Sequence, residues 1–102
     1  MSDLSFEWDP RKAAANAAKH GVTFEEASTV FADDFALIID DPEHSRTEDR
    51  SIILGLSANA RMLVVVHCER STPLGKAIVI RIISARKATR AESQDYFKRS
   101  QP

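Results

Sequence analysis

The chain has few residues that crosslink a fold or bend it sharply. Among 102 residues there are one cysteine, three glycines and four prolines. The lone Cys68 excludes an intramolecular disulfide and any CxxC redox or metal motif. Long hydrophobic runs are missing too. The longest uncharged apolar stretch, "MLVVVHC" at 62–68, falls far short of the roughly 20 residues a membrane helix needs. The opening "MSDLSFEWD" is acidic and has no apolar centre, unlike a secretory leader. There is no repeat, low-complexity segment or obvious linker. What is present is ordinary globular composition, 43% hydrophobic and 28% charged. The length suits one domain spanning 1–102 with a core of its own. A soluble, reducing, cytoplasmic setting is expected.

The net charge of −1 hides an asymmetry. Residues 1–60 carry five Lys/Arg against twelve acids, and residues 61–102 carry nine against three. Such a split predicts a basic surface opposed by an acidic one, unless the two halves simply neutralise each other across the fold. The basic half culminates in "RIISARKATRAE" at 81–92. There Arg81 stands amid isoleucines and the strand runs straight into Arg86, Lys87 and Arg90.

Local signals place the elements. In "WDPRKAAANAAKHG", Asp9 caps a helix, Pro10 suits its first position and Gly21 its left-handed end. "VTFEEASTVFAD" predicts a second helix, opened by Thr23 and Glu26 at capping-box spacing. "FALIID" reads as a strand and "DDPEHSRTED" as a polar loop. Strands at "RSIILGLS", "RMLVVVHCER" and "AIVIRIISAR" follow, and "LVVVH", apolar on both faces, marks a central strand. A last helix starts near Arg90, opened by Thr89 and Glu92. The expected fold is α+β, in the order α-α-β-β-β-β-α. Two N-terminal helices and one C-terminal helix would pack on a small, mostly antiparallel four-stranded sheet.

Side chains alternate along strands. With turns centred where their sequences suggest, Arg50, His67, Glu69 and Arg81 share one face of the sheet. Arg70 and Arg86 then lie at strand ends, with Lys87 beside them. Each has a plainer reading. His67 suits a satisfied, half-buried core histidine, Glu69 and Arg70 suit edge charges that discourage aggregation, and His20 suits a helix C-terminus. The acidic cluster from Asp40 to Asp49 lacks the glycine and the spacing of a calcium loop, so no metal site and no cofactor are expected.

At "KHGVTFEEASTVF", "LVVVHCER" and "RIISARKAT" the sequence closely resembles the BrnT family, the toxin halves of bacterial type II toxin–antitoxin pairs. The likeness runs from "FEWDPRKAAANAAKHG" to Tyr96. It implies a RelE/ParE-like fold, and neutralisation by a BrnA-like ribbon-helix-helix antitoxin in a toxin–antitoxin hetero-oligomer. It also implies that the pair represses its own operon, with operator DNA touched only through the complex. Cys68 departs from the threonine common in the family's HTER-like motif, and "STPLGKA" is longer than the connection many relatives use.

With that resemblance, the basic cluster reads as metal-independent endoribonuclease chemistry that inhibits growth or translation, the substrate's own 2′-hydroxyl attacking phosphorus. Arg70 and Arg86 are the expected stabilisers of the extra phosphate charge, since the guanidinium fork matches two phosphate oxygens. His67 or Glu69 is the expected acid or base. Arg50, Arg81 and Lys87 would hold RNA, with Lys19 and His20 at the rim. Two other classes fit the same family of folds: a gyrase poison, and a non-catalytic antitoxin-binding module.

Overall fold

A computed structural model describes residues 3–40, 50–75 and 77–100. The order of elements is β1 (Asp3–Glu7), α1 (Pro10–His20), α2 (Phe24–Thr29) with a 3₁₀ turn at Val30–Ala32, β2 (Leu37–Asp40), β3 (Arg50–Leu56), β4 (Met62–Ser71), β5 (Ala77–Lys87) and α3 (Arg90–Ser100). The strands form one five-stranded sheet, ordered β1-β5-β4-β3-β2. This corrects the expected fold. The sheet has five strands, not four, and is mixed: β1 precedes the helices and pairs parallel to β5, while the other pairs are antiparallel. β1 is easy to miss because five residues carry little alternation. Its partner also lies some seventy residues away, with no hairpin turn to announce it. The polar segment 41–49 lies outside the described residues.

The helices form where their local signals say. The Asp9 carboxylate accepts from the Arg11 N–H at 2.8 Å, and Gly21, at φ 68°, closes α1 with its N–H on the Ala17 carbonyl. Thr23 caps α2 by accepting from the Glu26 N–H at 3.1 Å. Thr89 and Glu92 make a reciprocal box at α3, with bonds of 2.8 and 3.1 Å.

The two faces of the sheet are covered unequally. α1, α2 and the 3₁₀ turn pack on the face carrying Ile53, Leu63, Val65, Ile80, Ile82 and Ala85, which with Val22, Phe24, Ala27 and Val30 form the main buried core. The 3₁₀ turn comes so close that a Cβ on Gly55 would lie 2.9 Å from Val30 Cγ1. α3 covers only part of the opposite face, over Leu54 and Val64. Its Tyr96 hydroxyl donates to Asp33 at 2.7 Å, and burial together with that carboxylate pushes the phenol up to about 12.

Between Val66 and His67 the pairing with β5 skips Ile83. This bulge turns Arg81 and Arg86, an odd five residues apart, onto the same face of the sheet. Among the described residues, no strand lies beside the outer edge of β5 beyond Arg81. Asn16 of α1 takes that place: its Nδ2 donates to the Ala85 carbonyl at 2.8 Å and its Oδ1 accepts from the Ala85 N–H at 3.1 Å. Among the described residues no helix is long and apolar enough to cross a membrane.

Candidate active site

The face away from α1 and α2 carries the arginines. Sheet register sets Glu7, Arg81, Cys68 and Arg50 side by side on β1, β5, β4 and β3. Arg70, two residues beyond Cys68, points to the same side. The Glu7 carboxylate joins this group, accepting from Arg70 Nη2 at 2.9 Å through Oε1 and from Arg81 Nη1 at 3.2 Å through Oε2. The Arg70 hydrogen bond, followed by that from Arg81, outweighs partial desolvation and holds the carboxyl below its ordinary range. Both arginines stay open to solvent, their side chains 67% and 46% exposed.

Further along the face, Arg86 stands opposite Val64. Its fork is closed on Glu92 of α3 by two bonds of 2.8 Å. Glu92 is also half of the α3 capping box, so one carboxylate serves guanidinium and helix end together. The Arg86 bonds, with help from Thr89, lower it to about 2. Arg86, Glu92, Arg99, Leu37, Leu54 and Val64 border a cleft of about 240 Å³ between α3 and the sheet. Six residues of β4 separate Val64, the partner of Arg86, from Arg70, about 20 Å of strand. The two therefore cannot meet on one phosphate. With Arg81 between them they form a track.

The structure separates residues that strand parity grouped together. Arg50 faces Cys68 and not His67, and Arg81 also faces Cys68. His67 and Glu69 accordingly project to the opposite face from Arg50 and Arg81. His67 is sealed in the core at 2% exposure, edge-on to Phe31 at 4.8 Å, with Nδ1 3.4 Å from the Val65 carbonyl oxygen. Burial lowers its pKa and favours the neutral ring. Glu69 is exposed on the helix-side rim, opposite Ile80, and Lys87 is exposed at the end of β5. Lys19 and His20 reach the open edge of β5, where with Lys12, Asn16, Ile83 and Ser84 they line a shallow cleft of about 230 Å³. Among the described residues no cluster of three His, Cys, Asp or Glu is arranged to hold a metal.

Glu7 is the member of the site that the sequence did not suggest. Nothing along the chain links it to an arginine; the contact exists because β1 lies beside β5.

A family model described as the ribonuclease toxin BrnT of type II toxin–antitoxin systems matches residues 8–92. No curated protein matches the chain. Among solved structures, the 1.1 Å crystal structure of the Brucella abortus ribonuclease toxin BrnT superposes with a TM-score of 0.60 at 22% identity. That match covers 87% of this chain and 100% of the other, a likeness of fold.

Proposed function

Since the chain belongs to the BrnT family of type II toxin–antitoxin toxins, we propose that it is a metal-independent endoribonuclease whose site lies on the arginine-bearing face of the sheet. The observation that carries this reading is the convergence of Arg70 and Arg81 on a single partly exposed carboxylate, with Arg50 and Arg86 on the same face. A place where two guanidiniums already hold one anion is shaped to hold a phosphodiester. Attack of a 2′-hydroxyl on phosphorus adds negative charge to the phosphoryl oxygens, and fixed donors aimed there lower the barrier. Arg70 and Arg81 supply them. Arg86, Lys19 and His20 guide the flanking backbone along β5, and Arg50 closes the far end of the row. His67, shut in the core, takes no part in proton transfer, and Glu69 and Lys87 lie off the track.

The family implies an antitoxin as partner. A BrnA-like ribbon-helix-helix protein would neutralise the toxin in the cytoplasm, and the pair would repress its own operon. The test is direct. Induction of the chain alone stops bacterial growth, and co-expression of the antitoxin restores it. Purified protein cuts RNA in EDTA, leaves a 2′,3′-cyclic phosphate and a 5′-hydroxyl, and binds but does not cut DNA, which lacks the nucleophile. Loss of cutting on chelation with recovery in Mg²⁺ would overturn the mechanism, and intact RNA beside inhibited supercoiling would move the chain to the gyrase poisons.

A further inference from the structure

We infer that Glu7 is the general base of the cleavage, taking the 2′-hydroxyl proton of the nucleotide whose phosphate Arg70 and Arg81 hold; this rests on the ribonuclease reading above. Three observations lead there.

The first is position. The carboxylate lies within hydrogen-bond distance of both guanidiniums, and among the described residues each arginine uses one N–H on it. A guanidinium has five such donors. A phosphodiester can therefore bind the remaining ones without expelling Glu7. The carboxylate then lies beside the bound phosphate, within reach of the hydroxyl on the ribose carbon next to the one bearing the 3′-oxygen.

The second is elimination. Among the described acid–base groups near the arginines, His67 is buried on the opposite face and Glu69 projects to that face. Glu92 is fully engaged by Arg86 and the Thr89 N–H. Asp95 lies by Arg86 at the far end of the face, and Glu7 is the partly exposed carboxylate bonded to both Arg70 and Arg81.

The third is that stability gives no reason for the arrangement. Ion pairs this exposed contribute little, and β1 is already held by five register pairs with β5. The free protein keeps the carboxylate ionised, ready to accept a proton. An arriving phosphate shares the same donors and brings negative charge, both of which raise the carboxylate's proton affinity when the reaction needs it.

The step balances without a co-reactant. Glu7 removes the 2′-hydroxyl proton while the 2′-oxygen forms its bond to phosphorus. The bond from phosphorus to the 5′-oxygen breaks, and that oxygen takes a proton from water. Glu7 then releases its proton to solvent. The products are the cyclic phosphate and the 5′-hydroxyl.

The experiment compares wild type, Glu7→Gln and Glu7→Asp on two probes. One is a fluorescent RNA oligonucleotide that can be cut; the other is its 2′-O-methyl counterpart, which binds but has no nucleophile. Glu7→Gln is expected to lower kcat by about 10²–10⁴-fold while binding the 2′-O-methyl probe as tightly as wild type or more so, because a negative charge has gone. Glu7→Asp, which keeps a carboxylate one carbon shorter, is expected to fall between, and it answers the question if the glutamine variant folds poorly. Wild-type kcat in Glu7→Gln, faster cutting, or parallel losses of cutting and probe binding would each overturn the assignment. The last would make Glu7 only a support for its arginines. A folded wild-type protein that cuts no RNA would instead remove the ribonuclease reading itself, and Glu7's role with it.

Discussion

The two faces of this sheet use polar side chains in opposite ways. Under α1 and α2 they are absorbed into the fold. Asn16 stands in for a missing strand, His67 fills core volume against Phe31, and Glu26 binds Ser57 at 2.7 Å and Arg61, fastening α2 to the β3–β4 hairpin. On the other face Arg70 and Arg81 are open to solvent and share one partly exposed carboxylate, where an incoming anion can compete. Burial makes the difference. A polar group deprived of water must be satisfied permanently, whereas an exposed ion pair is weak enough to be exchanged. If the arginine face binds RNA, access to water, and not residue type, separates structural from chemical roles in this protein.

The strongest way to break this contrast is to exchange its emblematic residues. Arg81→Ala is expected to lower RNA cleavage by about 10²–10³-fold with little change in melting temperature. His67→Leu, which puts an apolar side chain of similar bulk in the core, is expected to leave turnover unchanged. Cleavage assays with melting controls decide it, and an inactive but stable His67→Leu protein would return the histidine to the mechanism.

Next in size is Asn16→Ala. It removes three hydrogen bonds and leaves the Ala85 N–H and two carbonyls buried without partners. A loss of about 3 kcal/mol is expected, roughly 15 °C in melting temperature, with kcat preserved below the transition. A fall in kcat without a fall in stability would place α1 in the chemistry.

The smallest effect sharpens the comparison through pH. Hydrogen bonds from Arg61 first, and then from Ser57, lower Glu26 from its ordinary 4.5 to about 2. A carboxyl whose folded value is depressed stabilises the fold above its unfolded value, and that stability is lost as pH falls through the folded one. Glu26→Gln is therefore expected to be about 2 kcal/mol less stable near neutrality. The gap to wild type should close between pH 4.5 and 2. Parallel melting curves across that window would show that the contact does not depend on charge.

Much of this architecture was legible because its causes are local. Asp9, Pro10 and Gly21 bound α1 through contacts within a few residues, and the run around Val65 identified β4 as the middle strand. The capping-box reading holds fully only at α3. At α2 the Thr23 half forms, but the Glu26 side chain is drawn to Ser57 and Arg61. The candidate site was less accessible. Its arginines were recognisable as a cationic cluster, but their common face depends on the Ile83 bulge and on a pairing offset that sets both Arg50 and Arg81 opposite Cys68. A shift of one residue sends each side chain to the other side of a sheet. That is why strand parity alone groups His67 and Glu69 with residues they do not face.

The helices, four of the five strands, the family and the arginine surplus of the second half can all be read along the chain. These follow from short-range backbone preferences and from residue identity. Tertiary structure alone decided that β1 would bring Glu7 to Arg70 and Arg81, and that a bulge would align Arg81 with Arg86. It also decided that His67 would be closed off from water. Each depends on pairing between segments distant in the chain, where the free energy lies in burying a whole face at once, and no window of neighbouring residues contains that information.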